Sequence, residues 1–255
     1  GQEIKAGNKS PDQQFFDYGW RIPFLLSSVL IIIGLYVRLS ISETPEFEAN
    51  KKKNNTLAIP FMTVFKEHGK PLFLGTFIAL ATFVLFYLMT VFIASWAITD
   101  LHMTRELFLE NQITSVAFFA LLIPISAVLA DRYGRKRILM TASMLIIIFG
   151  ILLGYLLGSS DSVSILITLS IGMALMGFTY GPLGTILSEL YPTNVRYTGS
   201  SLSFNLAGIV GASFAPFIAL WLSSTYGIAY VGYYLALAAL ISLVSIKLSS
   251  QAKAG

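Results

Sequence analysis

Asp131 to Arg137, inside LADRYGRKRIL (129–139), places one carboxylate, four bases and one glycine in seven residues between two long apolar runs. An acid at a helix exit, a glycine that permits a tight reversal and an arginine four residues after the acid can close a bidentate ion pair. Set against another helix's positive N-terminus, such a pair is a latch that forms in one conformation and breaks in another. A second charged exit follows at Glu189 and Arg196. Polar side chains inside the apolar runs are the other place for chemistry, because in lipid they face a cavity or a neighbouring helix. Tyr87, Gln112, Tyr180 and Asn205 stand nearest the middle of their runs and are candidates for holding a small-molecule substrate. For each, a hydrogen bond between helices is the competing use. Glu110, the carboxylate that sits deepest, either titrates with proton movement or closes an outer-end contact with Arg105 or Asn111. With no cysteine and two histidines, neither thiol chemistry nor a structural zinc site is expected, and neither a metal nor a cofactor is implied. No Ser/His/Asp or Cys/His set is available, so the chain reads as a non-enzyme.

The elements that position these residues are membrane spans. The 255 residues are 55% hydrophobic and 12% charged, against about 25% charged for a soluble domain. The net charge of +4 comes from bases scattered between greasy segments, so the partner is a lipid bilayer and not nucleic acid. Seven runs are long enough to cross a hydrocarbon core: 22–39, 71–98, 107–130, 138–158, 164–187, 199–222 and 230–248. The first lacks the basic lead and small-residue cleavage site of a secretory signal, and the chain, which does not begin with Met, reads as a piece or a processed product. Thirteen Lys and Arg fall on one side and four on the other, which places residues 1–21 outside and the C-terminus in the cytoplasm of a multi-pass plasma-membrane protein. His68 and His102 then lie on opposite sides.

Phe15, Phe16, Tyr18 and Trp20 form an aromatic belt before the first run. Residues 40–70 are the one long loop; there Leu57, Phe61, Val64 and Phe65 follow helical spacing, which fits a short amphipathic surface helix or, alternatively, a solvated linker. Thr104 is placed to cap the run that follows it, with Glu106 in its first turn. Gly172, Gly177, Gly181, Pro182 and Gly184 punctuate one run, for close packing or for gating. PISAVLADRY (124–133) and PLGTILSELY (182–191) echo each other, sharing Pro, Leu, an acid and Tyr in register.

Asp131-Arg132-Tyr133 alone matches the inner end of the third helix in rhodopsin-type receptors, but the disulfide and the Asn-Pro-x-x-Tyr of those receptors are absent. Taken whole, AVLADRYGRK (127–136) resembles the G-x-L-[AS]-D-R-x-G-R-[RK] signature of the major facilitator superfamily, with Ala127 in place of glycine. FDYGWRIPFLLS (16–27), ETPEF (43–47) and ELYPTNVRYTGS (189–200) are similar to the sixth helix, its exit and the loop between helices ten and eleven in that superfamily's metabolite:proton symporters. The resemblance implies an all-α membrane protein, a major-facilitator-type helical bundle with seven of an expected twelve transmembrane helices. Its parts are an outer loop and helix six (1–39), a central cytoplasmic loop (40–70) and a C-terminal six-helix transport domain (71–255). It further implies a secondary active transporter, proton-coupled, for a small organic acid or zwitterionic metabolite, with a transport-like sensor as the alternative. Asp131, Arg132, Gly134, Arg135, Glu189 and Arg196 would form a cytoplasmic gate. Tyr87, Gln112, Tyr180 and Asn205 would line the substrate cavity, Glu110 is a candidate proton site, and an N-terminal half would be the partner.

Overall fold

A computed structural model describes residues 17, 19–40, 60–158 and 161–251; Phe15, Phe16, Tyr18, Leu57 and the segment 43–47 lie outside them. Residues 1–54 and 55–255 form two units. The first holds α1 (Arg21–Ser40), apolar over Arg21–Val37. Ser27 and Ser28 donate to the carbonyls of Pro23 and Phe24 one turn back, which keeps their hydroxyls compatible with an apolar environment. At 1.5 Å per residue its 20 residues extend about 30 Å, the thickness of a hydrocarbon core.

The second unit contains α2 (Pro60–Glu67), α3 (Gly69–Thr99), α4 (Arg105–Tyr133), α5 (Arg135–Leu156), α6 (Ser162–Glu189), α7 (Arg196–Tyr226) and α8 (Ile228–Gln251). The six from α3 to α8 are each long and apolar enough to cross a membrane. Each begins two or three residues before the apolar run read from sequence, because helices continue past the hydrocarbon edge. Thr104 caps α4 by accepting from the Leu107 amide. Gly134 and Gly227 alone join α4 to α5 and α7 to α8, at φ 98° and 99°, a region open to glycine. These short connections make neighbouring helices antiparallel. One end of the bundle therefore carries α2, Gly134, the 190–195 loop and the end of α8; the other carries 100–104, 157–158 and Gly227.

Lipid tails are as apolar as leucine, so helices in a membrane associate through close packing at small residues and through hydrogen bonds. Both are present. A Cβ on Gly232 of α8 would lie 2.0 Å from the Gly150 carbonyl oxygen of α5. A Cβ on Gly177 or Gly181 of α6 would lie 2.4 Å from the Phe119 carbonyl oxygen and 2.2 Å from Ser126 Oγ of α4. Gly177 and Gly181 thus serve packing, and the Ser126 hydroxyl, bonded to the carbonyls of Ile123 and Gly177, joins the two backbones. The main core lies among α3, α5, α6 and α8, around Leu85, Leu88, Met89, Phe149, Leu169 and Leu235. A smaller cluster of Val64, Leu72, Tyr191 and Val195 fixes α2 to the bundle end. The amphipathic segment is therefore helical over 60–67, with Val64 buried while Phe61 and Phe65 stay exposed.

The helices α3 and α7 depart from regular geometry. Each contains a π-helical turn, Leu88–Phe92 and Ile209–Ser213 respectively. In α3 the Ser242 hydroxyl of α8 also enters the backbone ladder, accepting from the Ala81 amide at 3.0 Å and donating to the Phe77 carbonyl at 2.7 Å.

Candidate functional site

The charged segment folds as a clasp. The carbonyl of Ala130 accepts from the Gly134 amide, closing α4, and α5 starts at the next residue. That reversal returns Arg135 over the end of α4, where one terminal guanidinium nitrogen lies 3.3 Å from Asp131 Oδ1 and the other 2.6 Å from Glu189 Oε1 at the end of α6. The expected bidentate pair with Asp131 is instead a bridge: the two prongs hold two carboxylates on two helices. The acids that align in the 124–133 and 182–191 echo are the two partners of this one guanidinium. The side chains are partly open to solvent, Asp131 most of all, and an ion pair in contact with water is readily exchanged.

The other expected gate residues act around this bridge. Arg132 lies over the Tyr133 ring at 5.4 Å. Arg196, first residue of α7, donates from Nε to the Tyr191 carbonyl at 3.4 Å and so braces the 190–195 loop. Tyr191 is the residue that sequence reasoning passed over. It is buried, its hydroxyl is 2.7 Å from Ser203 Oγ of α7, and its ring fills the space where a Cβ on Gly199 would sit, 2.4 Å from the nearest ring atom. Burial raises its phenol pKa above the usual value. The Tyr and Gly of ELYPTNVRYTGS are thus one packing unit that fixes Glu189 relative to α7; the eight-residue spacing within one motif was the available signal.

The candidate substrate residues separate into two levels. Tyr180 and Asn205 each stand nine residues from the clasp end of their helices, about 14 Å. Tyr180 lies between Phe119 of α4, at 5.7 Å, and Phe204 of α7, at 6.3 Å; Phe204 in turn meets Phe83 of α3 at 4.9 Å. A line of rings therefore runs across α4, α6, α7 and α3. Asn205 is exposed beside it, with its amide donating to the Ser201 carbonyl at 2.8 Å within its own helix. Below the line, Thr82 donates to Thr179 at 3.0 Å, tying α3 to α6. Tyr87 and Gln112 lie nearer the other end. Tyr87 is half-buried against Phe86, and the amide nitrogen and oxygen of Gln112 are both buried without a hydrogen-bond partner. Glu110 is exposed and, among the described residues, has no base within 4 Å. The neighbouring Asn111 instead donates to Ser162 Oγ at 3.1 Å, a link between α4 and α6.

Six membrane-length helices packed through glycines, a two-carboxylate clasp on one end and an aromatic line across four of them define a helical membrane bundle. The chain belongs to the Major Facilitator Superfamily, whose profile matches residues 15–212 and 113–251. It is 42% identical, over 95% of its length and 56% of the relative's, to an inner membrane metabolite transport protein of Escherichia coli, YhjE. It is 30% identical to the shikimate transporter of Escherichia coli over 82% of this chain and 48% of that one. With the proline/betaine transporter of Escherichia coli it shares 26% identity over 92% of this chain and 49% of the relative. The chain thus spans about half the length of the curated relatives it matches. No solved structure matches.

Proposed function

We propose that the chain is helix six and the C-terminal half of a secondary active transporter that moves a small organic acid or zwitterionic metabolite with protons by alternating access. The observation that carries this reading is the Arg135 bridge to Asp131 and Glu189, 3.3 and 2.6 Å long. It joins the ends of α4, α5 and α6, is open to water, and breaks without exposing a buried charge, as a contact opened in every cycle must. The lysine and arginine excess supports a topology in which that end of the bundle faces the cytoplasm and residues 1–21 lie outside.

The ring line supports this substrate class. Phe119, Tyr180 and Phe204 offer faces and edges that suit a quaternary ammonium or a carbon ring, while the exposed Asn205 beside them supplies an amide. Relatives named for shikimate and for proline/betaine carry an acid and zwitterions, in keeping with this chemistry. A proton site at Glu110 and the pairing of this half with an N-terminal one complete the proposal.

Counterflow of labelled shikimate, proline and betaine in proteoliposomes of the full-length protein tests it, run with and without an inward-directed proton gradient, acid outside. Uptake that the gradient accelerates is expected. Saturable binding without uptake at any gradient would overturn the reading in favour of a sensor. Asp131→Asn should slow uptake at least several-fold at unchanged expression and membrane insertion, and normal uptake would remove the clasp from the mechanism.

A further inference from the structure

Between α3 and α8 runs an apolar trough. Its first part, about 330 Å³, lies between Phe73 and Phe77 of α3 and Leu240, Val244 and Leu248 of α8. A second part of about 290 Å³ continues past Phe77 and Ile241 toward Val84 and Phe214. Phe77 and Ile241 line both, so the two parts adjoin along the bundle. The first part is open on its side: Phe73 is 63% exposed and Leu240, Val244 and Leu248 are close to half exposed. The step from Phe73 to Val84 is eleven residues, about 16 Å of helix and about the depth of one leaflet of hydrocarbon. Ser245, the polar residue of the first part, already donates its hydroxyl to the Ile241 carbonyl, so a ligand here is held by apolar contact.

Charge is concentrated at one end of the trough. Lys70 is one turn before Phe73 and Leu74, and Lys247 follows Val244 by three residues and adjoins Leu248. Both lysines are exposed and, among the described residues, neither has a carboxylate within 4 Å. The N-terminus of the 31-residue α3 adds a partial positive charge at the same level. A body that is apolar for the depth of one leaflet, under a rim that carries two bases, is complementary to one molecular class. We infer that this trough binds an anionic phospholipid, with an acyl chain along α3 and α8 and its phosphate between Lys70 and Lys247. The inference does not depend on what the protein transports.

Native mass spectrometry of the detergent-purified full-length protein, titrated with dioleoyl phosphatidylglycerol or dioleoyl phosphatidylcholine, tests it. The first phosphatidylglycerol adduct should form about tenfold more tightly than the first phosphatidylcholine adduct, given the attraction of two lysines for an anionic headgroup. In Lys70→Gln/Lys247→Gln that preference should disappear, whereas Val244→Trp, which fills the trough, should lower the occupancy of both lipids. Equal affinity of the unaltered protein for the two lipids would overturn the proposal, as would a preference that survives loss of both lysines. A Val244→Trp protein of unchanged lipid occupancy would also overturn it, since the trough would then be covered by another part of the protein.

Discussion

Arg135 can hold two carboxylates because Gly134 returns the chain within one residue. At φ 98° and ψ 126° any Cβ is strained, although nothing lies within 4 Å of where it would sit. Gly134→Ala should therefore cost about 1–3 kcal/mol from backbone strain alone, read as a lowered unfolding temperature, and a neutral substitution would show that the turn relaxes freely. The Tyr191 hydroxyl and Ser203 should be coupled by about 0.5–1.5 kcal/mol. A double-mutant cycle of Tyr191→Phe and Ser203→Ala in detergent unfolding measures this, and additive effects would deny the bond. Residue types and spacing made Asp131, Gly134 and Arg135 legible in sequence, because they are local to one turn. The second arm to Glu189 crosses 54 positions and was accessible only through the motif that contains it. Gln112 shows the limit: periodicity marked it as polar within a span, and nothing local says that its amide is enclosed without a partner.

At the scale of elements, the spans could be read directly, since about 20 apolar residues can do little else in a chain this hydrophobic. Their irregularities could not. The two π turns of α3 and α7 have no proline and no distinctive composition, LMTVF and IVGAS. The Met89 side chain in the first of them packs where Gly172 of α6 has no Cβ, 2.3 Å from where one would sit, so a glycine far along the chain makes room for the distortion. Ser242 is a comparable long-range case. Its hydroxyl accepts from the Ala81 amide and donates to the Phe77 carbonyl, which are i and i−4 partners along α3. Ser242→Ala should let Ala81 and Phe77 close the ladder, so amide deuterium exchange around Ala81 should slow by severalfold. Faster exchange there would mean that the hydroxyl supports the helix instead of opening it.

At the scale of the molecule, the bundle confines change to places that tolerate it. Glycine contacts hold α5 against α8 and α4 against α6 at distances that admit no side chain. What remains adjustable is the solvent-facing clasp at one end and the π turns within α3 and α7. The acids of the 124–133 and 182–191 echo converge on Arg135, although the echo itself carries no expectation that α4 packs on α6. The aromatic line was not legible in sequence either, because Phe83, Phe119, Tyr180 and Phe204 lie on four helices and the chain has 19 phenylalanines from which to choose. The central claim is that the Arg135–Glu189 contact is a gate, and reversal of its charges tests it most directly. Counterflow should be lost, by at least about tenfold, in full-length Arg135→Glu and in Glu189→Arg, and should return substantially in the Arg135→Glu/Glu189→Arg double variant. A double variant no more active than either single one, with all three proteins folded and inserted, would contradict the account.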